Sequence, residues 1–313
     1  MTAVDTPTTS TASAPAAGTG PPRGRRVREA LAGYGFLTPA LLLFAAFVFV
    51  PLVWAVFISF QRTNGFGDGT WDGLANYRRL VSDGVFWRSA ANTALFTVIV
   101  VPVSMAIGLA LATLMNSVLP GRAVFRTILV LPLVVSGVAT ALIGVLVFDQ
   151  NTGIANKVLG ALGISEVPWQ SGGPAAFASV VLVTLWSRVG LTMLVYLAGL
   201  QGVPAELHEA ATLDGAGTWQ RFRCVTLPLL GPSTFFLLVI NVISSFQVFD
   251  TVFVLTEGGP GDATSVLVTY AYDNGFVTRD QGYAAAIGMV LLVITLVFAA
   301  VQWRASRRRD VTA

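Results

Sequence analysis

Few residues of this chain could make or break a covalent bond. There is one histidine, His208, one cysteine, Cys224, and one lysine, Lys157. A single cysteine excludes a disulfide framework and multi-thiolate metal sites, and a single histidine excludes two-histidine metal sites. A P-loop needs Gly-Lys-Ser/Thr after a glycine-rich turn, because the ammonium must reach the phosphates. Lys157 follows Asn156 and precedes Val158, so if ATP powers this protein, another subunit hydrolyses it. No paired carboxylates and no nucleophile with an adjacent base share a face, and His208 beside Glu209 reads as a surface residue of a loop helix. What remains is chemistry of binding. Asn241, Ser244, Ser245 and Gln247 stand among apolar residues. Asn241 and Ser245 are four apart and share a helix face. Such neutral donors and acceptors suit uncharged polar ligands, or else hydrogen bonds between helices. Arg188 and Asp250 also lie in apolar runs. A mid-membrane arginine costs about 2.5–3.5 kcal/mol, which pairing with Asp250 or a bond to a ligand would offset.

The elements that must hold these residues are membrane spans. Of 313 residues, 54% are hydrophobic and 11% charged, against roughly a quarter charged in soluble domains. A helix needs about 20 apolar residues to cross a bilayer. Six such stretches are predicted: Tyr34–Phe60, Ala90–Met115, Thr127–Phe148, Ala175–Leu200, Ser233–Leu255 and Tyr283–Trp303. The reading is therefore an all-α integral membrane protein with six transmembrane helices. Residues 1–33, rich in Thr, Ala, Pro and Gly, are expected as a disordered tail, 34–85 as the first span and outer loop, and 304–313 as a second tail. With the amino terminus inside, the inner segments hold Arg23, Arg25, Arg26, Arg28, Arg122, Arg126, Arg221, Arg223, Arg304, Arg307, Arg308 and Arg309. The outer ones hold Arg62, Arg78, Arg79, Arg88, Lys157 and Arg279. This excess predicts that both termini are cytoplasmic. The terminal clusters flank spans directly, which argues against nucleic acid as their partner.

On that topology the loop 201–232 is cytoplasmic. Pro204 suits the first turn of a helix, and Glu206 and Glu209 suit its positive end. Ala210 and Ala211 continue the helix. Asp214-Gly215-Ala216-Gly217 stops it, glycine tolerating the left-handed cap. Thr218 is expected to cap a second short helix running through Arg223.

The spacing in this loop is specific. Glu209-Ala210-Ala211, three residues, Gly215, nine residues, then Val225-Thr226-Leu227-Pro228 resembles the signature of binding-protein-dependent ABC importer permeases, with Val225 in place of the usual Ile. Leu197–Gln201 before Val203-Pro204, Phe125-Arg126-Thr127 leading to Leu131-Pro132, and Leu255–Gly261 resemble sugar-importer permeases of the MalF-like or UgpA-like kind. Glu257 departs from the small or amide residue common there, and no role is carried over to Arg188.

The resemblance, over about residues 34–303, implies an importer-permease (MetI-like) core at 86–303. It implies that Glu209, Ala210, Ala211, Gly215, Leu227 and Pro228 couple the chain to an ATPase, and that the face of the fifth span bearing Asn241 and Ser245 lines the substrate path; Gln247, Arg188 and Asp250 join them as candidates because they are polar residues within spans. It implies a second permease subunit, two ABC ATPase subunits that hold the ATP and Mg, an extracytoplasmic solute-binding protein, and no cofactor or metal on this chain itself. The implied place is a bacterial inner membrane and the implied cargo a sugar or oligosaccharide. A solute such as glycerol phosphate, or a stand-alone secondary transporter with Asp250 as its one relay acid, are the alternatives.

Overall fold

The computed structural model describes residues 23–64, 69–117 and 120–310, the side chains of 23–32 and 305–310 apart. The parts of the expected tails at 1–22 and 311–313 lie outside the described residues. The chain divides into two compact units at Trp54 and Ala55.

The first unit is helical from Arg23, ahead of the expected start at Tyr34. Helix α1 (Arg23–Phe44) passes through a π turn, Ala45–Phe49, into α2 (Val50–Ser59). Pro51 cannot donate a backbone hydrogen bond, and the wider turn directly before it takes up the misfit.

The second unit begins within α2, at Ala55, and continues with a short antiparallel pair, β1 (Gln61–Arg62) and β2 (Thr70–Trp71), then α3 (Ala75–Ser82) and α4 (Gly84–Asn116). Asp83 caps α4, its carboxylate accepting from the Val85 and Phe86 amides at 2.9 and 3.3 Å. Helices α5 (Arg122–Val134) and α6 (Gly137–Val147) follow, then α7 (Ile154–Ala161) and α8 (Gly173–Gln201). The loop carries α9 (Ala205–Leu213), α10 (Thr218–Arg221), a π turn at Phe222–Thr226 and α11 (Leu227–Leu229). Helices α12 (Gly231–Phe246), α13 (Asp250–Thr256), α14 (Leu267–Tyr272) and α15 (Gln281–Asp310) complete the described chain.

Four helical stretches are long and apolar enough to cross a membrane: Gly33–Ser59, Gly84–Asn116, Gly173–Gln201 and Gln281–Arg304. Two bent pairs raise the number to as many as six. The expected single helix at Thr127–Phe148 is α5 and α6, bent by 106°. Pro132 weakens the end of α5, and Ser136 starts α6 afresh by accepting from the Ala139 amide at 3.3 Å. The expected single helix at Ser233–Leu255 is also two. It stops at Phe246 and restarts at Asp250, an acid that favours a helix start over a helix interior. A further bend of 65° separates Thr218–Leu229 from α12, at Gly231 between Pro228 and Pro232.

Helix α8 is the centre, with α4, α5, α6, α12 and α13 all packed on it. Lipid offers no hydrophobic drive between helices, so close packing of small residues holds them. Gly190 of α8 meets the Leu129 carbonyl of α5 so closely that a Cβ there would lie 2.4 Å from the oxygen. Gly108 against Thr192, Gly144 against Val183 and Gly199 against Leu230 and Ser233 make the other seams. Phe96, Val100, Met193, Leu230 and Leu237 fill the core, while Val98, Leu146 and Val293 face outward, as a lipid-facing surface requires.

Candidate functional site: the 201–232 loop and the helix breaks

The loop folds as a helical hairpin. Pro204 stands at the cap and α9 begins with Ala205. Glu206 occupies the first turn and Glu209 is exposed. The helix ends as the sequence predicts: Gly215 has φ +80°. Its N–H donates to Thr212 O at 3.0 Å, and the Ala216 N–H donates to Ala211 O at 2.9 Å. This double closure is the Schellman motif, whose central residue must be left-handed. Gly217, not Thr218, takes the cap of α10, and the helical course runs through Arg223 as expected, continuing by the π turn and α11 to Leu229. Arg221 ties the two helices by donating to Thr212 Oγ1 at 2.9 Å. Leu213 and Trp219 are 89% and 71% exposed. The hairpin thus presents a carboxylate, a small alanine face and two uncovered apolar side chains. Leu227 and Pro228 are exposed where α11 leads back to the core.

The expected path residues fall into two groups. Asn241 and Ser245 share a face of α12, but that face is buried against α8, with exposures of 4% and 0%. Arg188 Nη1 donates to Asn241 O at 3.2 Å and Ser245 Oγ at 2.8 Å, and Nη2 donates to Ser244 O at 2.7 Å. The Asn241 amide donates to Leu237 O within its own helix. Because α12 stops at Phe246, its last carbonyls lack helical donors. Arg188 caps one of them, the Ser244 carbonyl, and opposes the negative end of the helix. No ion pair joins Arg188 to Asp250 among the described residues, so the expected pairing is replaced by this cap. Gln247 and Asp250 are exposed at the break. Asp250 lies against Gly137 in the first turn of α6, its Oδ2 being 2.5 Å from where a Cβ would stand. Two interrupted helices therefore meet at Gly137 and Asp250. Ends of interrupted helices are where secondary transporters place polar groups for their cargo.

Sequence reading missed a network at the other end of α4, remote from the loop. Asp83 Oδ2 accepts from the hydroxyls of Tyr270 and Tyr283, both at 2.5 Å. Burial pushes the Asp83 acid up, but these hydroxyls and the Phe86 and Val85 amides hold it below the usual carboxylate range. The Arg79 guanidinium lies 3.9 Å above the Tyr283 ring and pairs with Asp280. Arg88 pairs with Asp262 at 3.0 Å, and the Asn92 amide donates to Asp262 O and Ser265 O. An Asp directly before an apolar run was the one signal available for the cap.

The profile of the family described as "binding-protein-dependent transport system inner membrane component" matches residues 104–311, the stretch that holds the hairpin and both breaks. The chain belongs to this family. This permease is 35% identical over 287 residues to the trehalose/maltose transport system permease protein MalF of Thermococcus litoralis, covering 91% of this chain and 97% of that one. It is 36% identical over 272 residues to the arabinooligosaccharides transport system permease protein AraP of Halalkalibacterium halodurans, covering 86% and 85%. In fold it is similar to a bacterial ABC transporter involved in import of the acidic polysaccharide alginate, with TM-score 0.79, 25% identity, and 91% and 98% of the chains covered. The permease is a transport subunit of an ABC importer, not an enzyme.

Proposed function

We propose that this permease forms one half of the translocation path of an ATP-driven saccharide importer. A second permease supplies the other half. An extracytoplasmic binding protein delivers the solute, and two ATPase subunits hold the ATP and Mg. The observation that carries this reading is the Gly215 hairpin, whose exposed Glu209, Leu213 and Trp219 offer a charge and two apolar contacts to one partner surface. A carboxylate at that place suits clamping by an arginine. When the ATPases close on ATP they draw the hairpins together, and the path turns from inward- to outward-facing. The relatives named for trehalose/maltose, arabinooligosaccharides and alginate support a saccharide as cargo. The bent pair α5–α6 and the broken helix α12–α13 each count as one span in this reading, giving six with the four long helices, and the arginine distribution supports two cytoplasmic termini in a bacterial inner membrane. Gln247, Asp250 and Arg188 line the path, while Asn241 and Ser245 act through Arg188, which they orient.

The test is uptake of labelled oligosaccharide by proteoliposomes holding the permease with its partner permease, ATPase and binding protein. Uptake should require ATP and fall severalfold with Glu209→Ala at equal protein content. Uptake without the ATPase, or full uptake by the alanine variant, rejects the coupling role.

A further inference from the structure

Arg188 stands near the middle of α8, inside a candidate span of 29 residues. A cation at that depth is costly and ordinarily meets an acid. Here its partners are all neutral: the Asn241 and Ser244 carbonyls and the Ser245 hydroxyl. The end of α12 offsets roughly half a unit of charge, and no carboxylate among the described residues pairs with the guanidinium. Asp250, the acid of the neighbouring break, is set against Gly137 at the start of α6, where that helix's positive end answers it.

The bond pattern also leaves donors. Nη1 spends both hydrogens on Asn241 and Ser245, and Nη2 spends one on Ser244. Among the described residues Nε–H has no acceptor, and Nη2 has one, Ser244 O. Those two nitrogens form the side-on edge by which arginine takes a carboxylate through parallel bonds. Arg188 as a residue is half-buried rather than fully enclosed. Three oxygens from α12 fix the guanidinium in advance, which lowers the ordering cost of binding. Exposed Gln247, at the break that ends α12, adds neutral donors and acceptors for hydroxyls.

We propose that Arg188 makes the path selective for saccharides that carry a carboxylate, such as uronic-acid oligomers. This rests on the saccharide reading above and narrows it. The same guanidinium is then both the cap of α12 and the specificity residue of the path.

The test is equilibrium binding of labelled trigalacturonate, its neutral methyl ester and glycerol phosphate to the detergent-solubilised complex of both permeases and the ATPases. The binding protein is omitted so that its own selectivity does not enter. The wild-type complex should bind the acid about tenfold more tightly than the ester, the effect of one charge-assisted contact. Arg188→Gln should abolish the preference, acid and ester then binding with equal affinity. Arg188→Lys should keep part of the preference. Equal binding of acid and ester by the wild type overturns the proposal without recourse to any variant, leaving Arg188 as a tie between α8 and α12. A preference that survives in Arg188→Gln overturns it as well. Binding of glycerol phosphate with neither saccharide bound overturns the saccharide reading itself, a different failure from loss of selectivity between the two sugars.

Discussion

The Gly215 turn permits a graded test of whether the hairpin's backbone, rather than its side chains, transmits the work of the ATPase. Gly215 has φ +80°, and a Cβ added there meets no atom within 4 Å. Substitution therefore perturbs conformation alone. An L-residue in the left-handed region costs about 1–2 kcal/mol, asparagine less, and a β-branched residue more. A change of that size shifts a local equilibrium by about 5- to 30-fold. Against it stands the exposed Arg221–Thr212 hydrogen bond, worth about 0.5–1.5 kcal/mol. Alanine should thus open a substantial fraction of hairpins, valine most of them and asparagine few. ATP-driven uptake in proteoliposomes, and the amount of ATPase that co-purifies, should both fall in the order Gly, Asn, Ala, Val. Membrane abundance should stay constant. Wild-type uptake by Gly215→Val would refute the reasoning outright. Equal loss in Gly215→Asn and Gly215→Val would show that any side chain offends the partner and that the dihedral angle is irrelevant.

Gly190→Ala would place a Cβ 2.4 Å from the Leu129 carbonyl oxygen, forcing α5 and α8 apart at a cost of about 1–3 kcal/mol. Thermal scans in detergent should show a lower melting temperature. Gly288→Ala, with open space around the added atom, should show none. Asp83 titrates below its ordinary range because hydrogen bonds favour its charged form over the opposing effect of burial. Its contribution is present above the unfolded-state value and is lost as pH falls through the folded one. The stability gap between wild type and Asp83→Asn should therefore be widest above about pH 4 and close below it, as unfolding curves across that range would show. In a Cys224→Ser background, a cysteine at Glu166 should react with an impermeant reagent added outside intact cells, and one at Asp214 should not. The reverse labelling would invert the topology.

Composition was enough to announce the solvent, and the spaced loop residues were enough to place the hairpin, because both depend on chemistry local in sequence. Gly215 is the clearest instance, a left-handed cap legible from one residue type. Expectation and structure part where an element ends for reasons outside its own window. The stretch Ser233–Leu255 is mostly apolar and carries one charge, Asp250, so its hydropathy hides the restart at that residue. Once α12 is known to end at Phe246, the role of Arg188 follows from unpaired carbonyls rather than from a search for an acid. Likewise the spacing of Asn241 and Ser245 shows that they share a face. With apolar residues all around α12, it does not show that this face meets α8.

The links at the far end of α4 carry one more consequence, in time. Arg79, Asp83 and Asn92 find their partners 201, 187 and 170 residues later in the chain. At about 5–20 residues per second of synthesis, Asp83 waits on the order of ten to forty seconds for Tyr270 and Tyr283. Within that interval α4 and then α8 are completed, yet the groups that will lock the start of α4 have not emerged. The early half of the permease must be held by something other than its final contacts, either the insertion machinery or water at the membrane surface. A chain truncated before residue 262 would keep most of its spans and lose every one of these ties. Its fate in the cell would then be decided by quality control rather than by the strength of its core.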